Sequence, residues 1–325
     1  MENYTITPYD LTHYNAWNAF IGQAKNATFL FHRDFMEYHA DRFTDHSLMV
    51  FEGEKLLAVL PAHRSENTVF SHLGLTYGGL IYDDKIKQTE VIRILQSILL
   101  FLNTNGVGKL YIKSMPSIYH LKPAEELQYA LFLANARLVR RDSLSVIDLT
   151  KPYFISKTRR ENIRRGEKNG LIIKEEPNFK LFWEEILIPN LSKKHGVKPI
   201  HSLEEIEKLH RLFPLNIRHF NVFHNGKIVA GTTVFVSEQV AHPQYISGQS
   251  EKNELGSLDY LYHHLISGVF KDKRFFDFGI SNEEQGRKLN QGLIFWKESF
   301  GASTITHDFY EADTANHNLL ASAII

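Results

Sequence analysis

Cysteine is absent from this chain of 325 residues. That excludes disulfides, thiolate metal sites and cysteine nucleophiles, and it fits a reducing compartment. Net charge is absent as well, because 37 Lys and Arg balance 37 Asp and Glu. No global field draws the chain to nucleic acid or to an anionic membrane, so a polyanion has to be met by a local basic patch. Long apolar runs are missing too. The greasiest stretch, 94–102, falls far short of the ~20 residues that a bilayer core demands. The start, Met1-Glu-Asn-Tyr-Thr-Ile6, has no basic segment followed by an apolar one, so no signal peptide is expected and the reading is cytoplasmic. No H-E-x-x-H, no G-x-S-x-G and no Walker loop occurs, which leaves a zinc protease, a hydrolase triad and an NTPase without support. The 17 histidines are scattered, and the adjacent pair His263 and His264 would face different ways on a helix. No metal site is expected.

What is present is a core-forming composition, 43% hydrophobic, over a length that suits two domains of roughly 150 residues. Residues 48–61 read as a hairpin around Glu52-Gly-Glu-Lys55. After more strand at 80–82 come an amphipathic helix at 88–103, with Val91, Ile94, Leu95, Ile98 and Leu102 on one face, and a strand at 109–112. A further helix at 125–134 and a strand at 143–149 follow. The order then repeats. Met49-Val-Phe-Glu-Gly-Glu-Lys-Leu-Leu-Ala58 resembles Asn221-Val-Phe-His-Asn-Gly-Lys-Ile-Val-Ala230. Val50, Phe51, Lys55 and Ala58 return as Val222, Phe223, Lys227 and Ala230, a constant offset of 172 (223 minus 51). A helix at 258–270 and a strand at 275–278 follow the second hairpin. A hairpin, a helix and a strand seen twice point to a duplicated α/β unit with mixed sheets, divided as 1–150 and 151–325.

Two segments carry candidate chemistry. Lys157, Arg159, Arg160, Arg164, Arg165 and Lys168 form the densest basic run, on a helix closed by Gly170. Arg160 and Arg164 share a face, as do Lys157 and Arg164. The run reads equally as a solvated helix face or as a phosphate holder. Gly166 within it weakens the helix by about 1 kcal/mol. The second segment is 274–301. After a short strand interrupted by Asp277 and ended by Gly279, Ser281 and Glu284 have the spacing of a capping box and predict a helix start. Gly286 and Gly292 predict a turn between two short pieces. Leu289, Leu293, Trp296 and Phe300 recur as one helical face, and Gly301 stands at a left-handed helix close. Lys297 lies about 100° round from Trp296, at the edge of that face. It either snorkels to water or, half-sheltered by Trp296 and Phe300, acts on a substrate carbonyl or phosphate.

Phe295-Trp-Lys-Glu-Ser-Phe-Gly301 resembles the F-K-x-x-F-G signature of the Fem family of aminoacyl and acyl transferases, and Asp277-Phe278-Gly279 resembles the strand end before it. The basic run resembles the K-T-R-R-x-I-R-K-A-x-K-x-G segment that opens the family's second domain, with Gly166 at an alanine position. Tyr77-Gly-Gly-Leu-Ile-Tyr-Asp83 resembles a first-domain segment. The resemblance implies two tandem GNAT-like (acyl-CoA N-acyltransferase) domains and transfer of an acyl or aminoacyl group to an amine of a cell-envelope or sugar-nucleotide-type acceptor. It gives Lys297 and Asp83 catalytic roles, and gives Lys157, Arg160, Arg164, Trp296 and Phe300 contact with substrate. No permanently bound cofactor is implied. The acyl donor is aminoacyl-tRNA or acyl-CoA, with tRNA a partner in the first case; no DNA partner and no membrane span are expected. The family's tRNA-contacting coiled coil has no counterpart, since no heptad run is long enough.

GNAT enzymes hold the coenzyme A pyrophosphate on a Q/R-x-x-G-x-G/A turn at a helix start. Asn253, Gly256 and Ser257 lie on the corresponding turn, but Leu258 stands where a small residue belongs. Two alternatives stay open: an acetyl-CoA-dependent N-acetyltransferase acting on an amino sugar, and a non-catalytic RNA-binding protein using the basic helix. The second would gain from aromatics interleaved with the basic residues, and 157–170 contains none.

Overall fold

In the computed structural model, which describes residues 4–325 with the side chains at 194 and 195 excepted, both expected hairpins form. The first three residues of the N-terminal reading lie outside the described residues. The first hairpin is β2 (Leu48–Glu52) with β3 (Lys55–Leu60), and the second is β10 (Ile217–His224) with β11 (Lys227–Val236). Their registers agree at the offset read from the sequence. Val50 faces Ala58 and Val222 faces Ala230. Each ladder then slips by one residue at the same point, so that Phe51 faces Leu56 and Phe223 faces Ile228. A bulge is a designed irregularity that bends and twists a strand, and its recurrence at matching positions supports duplication more strongly than four identities do. The turns match too: Gly53 and Asn225, again offset by 172 (225 minus 53), both take left-handed φ values, 57° and 50°.

The chain divides into two compact units. Unit 1 holds residues up to Asp142, Glu284–Arg287 and Thr306–Ile325; unit 2 holds Ser143–Glu283 and Lys288–Ile305. The division therefore falls at 142/143 rather than at 150/151, and the C-terminal segment returns to unit 1. Strand pairing is the reason. In unit 2, β8 (Arg137–Asp148) pairs antiparallel with β13 (Phe275–Ile280). In unit 1, β16 (Ser303–Asp313) pairs antiparallel with β7 (Lys109–Lys113). Each of these two strands follows the elements of one unit in sequence and completes the sheet of the other.

In unit 2 one sheet runs β8-β13-β12-β11-β10-β9, with β9 at Ile172–Glu175 and β12 at Val240–Gly248. In unit 1 the corresponding strands divide into two sheets. One is β1-β2-β3-β6, with β1 at Tyr4–Pro8 and β6 at Ile81–Tyr82; the other runs β4-β5-β7-β16, with β4 at His63–Ser65 and β5 at Thr68–Phe70. The place that β12 fills alone in unit 2 is shared in unit 1 by β6, beside β3, and β5, parallel to β7. The expectation of one identical sheet is corrected to that extent.

Helix α1 (Gln88–Thr104) buries the predicted face, Val91, Ile94, Leu95, Ile98 and Leu102, in the core of unit 1. Each such side chain is worth about 1.5–3 kcal/mol when fully buried. Helix α2 (Glu126–Leu133) joins the same core through Leu127, Ala130 and Leu131. In unit 2 the predicted basic helix is α3 (Lys157–Lys168), followed later by α4 (Lys252–Leu255), α5 (Ser257–His264) and α6 (Gln291–Glu298). Among the described residues no helix is long and apolar enough to cross a membrane.

Candidate functional site

The stretch after β13 departs from expectation. Ser281 and Glu284 do not cap a helix. Glu284, Gln285 and Gly286 take φ values of 47°, 52° and 87°, a left-handed turn that joins β14 (Asn282–Glu283) to β15 (Lys288–Leu289) as a small hairpin. Helix α6 starts only at Asn290, whose Oδ1 accepts from the Leu293 amide at 3.0 Å. Leu289 therefore lies in a strand, 52% exposed, and Leu293 is 39% exposed. The expected stripe through Leu289, Leu293, Trp296 and Phe300 reduces to its last two members. The Trp296 ring packs on Tyr262, Phe278 and Phe300, with centroids 5.1, 5.7 and 5.3 Å away. Phe300 itself is a fully buried core residue. Gly301 takes the predicted left-handed φ, 95°.

Lys297 is the buried residue of α6, at 4% exposure. Its Nζ donates to two consecutive carbonyls at the end of β13, Gly279 at 2.9 Å and Ile280 at 2.6 Å. Burial pushes its pKa down to about 8, against the pull of the Asp277 carboxylate. Its remaining N–H has no partner among the described residues. Asp277, also buried, fixes this strand end: Oδ1 accepts from the Gly279 amide at 2.7 Å, and His242 Nδ1 donates to the Asp277 carbonyl at 3.0 Å. Lys297 is thus neither snorkelling nor half-sheltered but locked to the backbone by its ammonium.

A pocket of about 370 Å³ opens in unit 2 between the end of β12, the start of α5 and the outer face of α6. The parallel pairing of β12 with β13 covers only Val240 and Ala241 against Phe275 and Phe276. The C-terminal parts of the two strands are not paired with each other, and Ile246, Ser247 and Gly248 at the end of β12 form a wall. Leu258, Leu293 and Trp296 supply the apolar lining.

The polar element of the pocket is Asp259, 4% exposed in the first turn of α5. Arg159 Nη1 donates to both its oxygens at 2.9 and 2.7 Å, Asn162 Nδ2 to Oδ2 at 2.6 Å, and Trp296 Nε1 to Oδ1 at 2.8 Å. One carboxylate therefore ties α3, α5 and α6 together and sets the tilt of the Trp296 ring. The sequence reading missed Asp259. Its partner Arg159 is 100 residues away, and a single acidic residue in a helix's first turn signals only a favourable place on the macrodipole.

The basic residues of α3 divide by direction. Ser156 caps the helix, its Oγ accepting from the Arg159 amide at 3.3 Å. Arg159 turns inward to Asp259, and Arg165 Nη1 donates to the Asn253 carbonyl at 2.7 Å. Lys157, Arg160 and Arg164 are exposed. Arg160 lies over the ring of Phe154, 5.2 Å from its centroid, and that ring is 68% exposed. The aromatic absent from 157–170 therefore stands just before the helix. Gly166 is where α3 meets α5: a Cβ there would come within 2.5 Å of the Tyr260 Cβ. Gly256, left-handed at φ 71°, answers it, since a Cβ on it would collide with the Asn162 carbonyl.

Of the residues singled out from sequence, Asn253 and Trp296 line the pocket together. Gly256 presses on α3, and Ser257 is fully buried. Asp83 lies in unit 1, where its Oδ1 accepts from the Lys85 amide at 2.9 Å in a tight turn.

Neither a family model nor a curated protein matches the sequence. Solved structures do match the fold. FemX superposes with a TM-score of 0.66 at 10% identity, over 94% of this chain and 96% of its own. L-PGS from Bacillus licheniformis gives 0.59 at 13% identity, over 96% and 94%. A conserved protein of unknown function from Bacteroides thetaiotaomicron gives 0.56 at 12%, over 96% and 99%. At such identities the likeness is one of fold alone, the α/β architecture that FemX has.

Proposed function

We propose that this chain is an acyltransferase that moves an aminoacyl group from an RNA ester to an amine, with the reacting carbonyl bound at the unit 2 pocket. The observation that carries the reading is Lys297. Its ammonium is held by the Gly279 and Ile280 carbonyls with one N–H uncommitted; Lys297 does not itself line the pocket but lies one residue from Trp296, which does. The amine nitrogen attacks the ester carbonyl, a C–N bond forms, and the carbonyl oxygen becomes an oxyanion. The C–O bond to the ribose then breaks, the ribose oxygen leaves as a hydroxyl, and the attacking nitrogen gives up a proton. A positive charge fixed before the reaction stabilises the oxyanion without reorganisation. With a pKa of about 8, Lys297 is mostly protonated at neutral pH.

Two features favour RNA over coenzyme A as the carrier. The exposed Phe154 ring under the Arg160 guanidinium suits a stacked base beside a phosphate. The turn at 253–258 is crowded where a pyrophosphate would have to approach: the space beside Gly256 is taken by α3, and Leu258 projects into the pocket wall. FemX and L-PGS share the fold, which agrees with group transfer but does not choose the acceptor. An amine on a cell-envelope or sugar-nucleotide-type acceptor is the proposed recipient.

The test is transfer from aminoacyl-tRNA, and separately from acetyl-CoA, to a panel of UDP-amino-sugars and lysine-containing peptides. Amide product from the RNA donor is expected. In Lys297→Ala the rate should fall roughly 10²-fold or more, as with other lost oxyanion donors, and in the wild type it should decline above about pH 8 as the ammonium loses its proton. Product from acetyl-CoA alone would replace this reading with the N-acetyltransferase; RNA binding without any product would leave a binding protein.

A further inference from the structure

We infer that the unit 2 pocket selects its donor by side chain and takes a bulky apolar aminoacyl group, of the leucine class. The assignment rests on the reading that the acyl end of the donor enters this pocket, and it adds which acyl group that is.

The open part of the lining is apolar. Ile246 at the end of β12, Leu258 at the start of α5, and Leu293 and Trp296 on α6 line one cavity of about 370 Å³. Ile246 and Leu293 are exposed, and Leu258 and Trp296 are half-buried. Single exposed apolar side chains are ordinary, but four around one cavity mark a binding site. The wall is also fixed in advance. Trp296 leans on three aromatic rings and on Asp259. Leu258 packs on Gly248, its Cγ 3.4 Å from where a Cβ on that glycine would stand. Leu258 occupies the place of the small residue in the GNAT turn, so the side chain that crowds a pyrophosphate supplies part of the apolar wall.

The polar side chains beside that wall are committed to the protein. Asp259 accepts from Arg159, Asn162 and Trp296. Asn290 Oδ1 accepts from the Leu293 amide, and its Nδ2 donates to Glu283 Oε1 at 3.0 Å. Ser247 Oγ accepts from Asn190 Nδ2 at 2.7 Å, and the same nitrogen donates to the Gly248 carbonyl at 3.0 Å.

A side chain that enters therefore gains apolar contact above all. A lysyl side chain finds no unpaired carboxylate, because Arg159 neutralises Asp259, and it meets the like charge of Lys252. An aspartyl side chain meets Lys252 but gives up its water against four apolar side chains. An alanyl group leaves most of the wall uncovered. The volume lies within the roughly 300–1,000 Å³ of small-molecule pockets, far more than a methyl side chain fills.

Calorimetric titration of the full chain tests this with three non-reactive probes, adenosines that carry leucine, alanine or aspartate in amide linkage at the 3′ position. The leucyl probe should bind roughly 10-fold or more tightly than the alanyl probe, since even one methylene in an apolar pocket is worth about 10-fold, and the aspartyl probe should bind more weakly than the leucyl one. Leu293→Ala, a change at an exposed position that should leave the melting temperature unchanged, should lower the leucyl-to-alanyl ratio roughly 4-fold or more, the effect of one methylene or more out of contact. Equal affinities for the leucyl and alanyl probes, or tightest binding of the aspartyl probe, would overturn the assignment and leave the donor reading standing. A leucyl preference that survives Leu293→Ala unchanged would put the selection outside this pocket and overturn the assignment as well. No binding by any of the three would fail the donor reading itself, and the assignment with it.

Discussion

Replacing Asp259 by Asn would preserve its shape and reverse half of its hydrogen bonding. Oδ1 accepts from Arg159 and Trp296, and Oδ2 accepts from Arg159 and Asn162. All of these partners are donors. An asparagine presents one acceptor and one NH₂, so either flip of the amide aims N–H at N–H on one side. The negative charge that neutralises Arg159 is lost too, and the Arg159 side chain is only 15% exposed. Breaking a buried ion pair from one side costs about 3–5 kcal/mol. Partial reach of Arg159 to water, and the acceptor that Asn keeps, place the expected loss near the lower bound, ~3 kcal/mol. For a unit of this size that lowers the melting temperature by about 6–12 °C. Thermal unfolding followed by tryptophan fluorescence is the assay, because Trp296 Nε1 donates to this same carboxylate and the charge beside its ring is removed in the same step, so its emission should change before the transition. A shift below about 2 °C, within what surface substitutions give, with unchanged emission, would refute the claim that Asp259 joins three helices.

Gly166→Ala should destabilise unit 2. The gain in helix propensity is about 1 kcal/mol, but the new Cβ would meet the Tyr260 Cβ at 2.5 Å. That atom sits on the backbone of α5, so a helix has to move, and overpacking of this kind costs about 1–3 kcal/mol. A higher urea midpoint in the alanine variant would contradict the packing argument. Acid should weaken unit 1. His39, His63 and His72 are buried together, with rings 4.9 and 5.4 Å apart, and burial pushes the His39 pKa down to about 4. Unfolded, His39 titrates near 6.5, so the unfolded chain binds the extra proton and stability falls as pH drops from about 6.5 toward 4. His39 alone accounts for roughly 3 kcal/mol across that window. Urea midpoints from pH 7.5 to 4.5 measure it, and a flat profile would count against neutral buried histidines.

The two hairpins were legible because alternation and a constant offset are local signals; the bulge that both share at corresponding pairs is a finding of the structure. The basic helix was legible for a similar reason, since charge density and Gly170 mark its extent, while the Ser156 cap came with the structure. The segment before α6 was not. The spacing of Ser281 and Glu284 suits a helix start, but two non-glycine residues enter the left-handed region and turn the chain into a hairpin. That displaced the helical phase by excluding Leu289, and a lysine predicted at the margin lies inside. The exchange of β8 and β16 between the sheets, and the Arg159–Asp259 pair, join residues far apart in sequence. No periodicity encodes such partners.

The proposal that the unit 2 pocket receives the acyl end of an aminoacyl-RNA is tested most directly with a non-reactive probe. An adenosine bearing an amino acid in amide linkage at the 3′ position has that end and cannot be hydrolysed. Titrating it while recording tryptophan emission reads the pocket, because Trp296 lines it and Trp17 and Trp183 are fully buried. The account predicts a saturable change that disappears in Trp296→Phe. A change that persists without Trp296, or a response to micromolar acetyl-CoA and none to the aminoacyl adenosine, would contradict it.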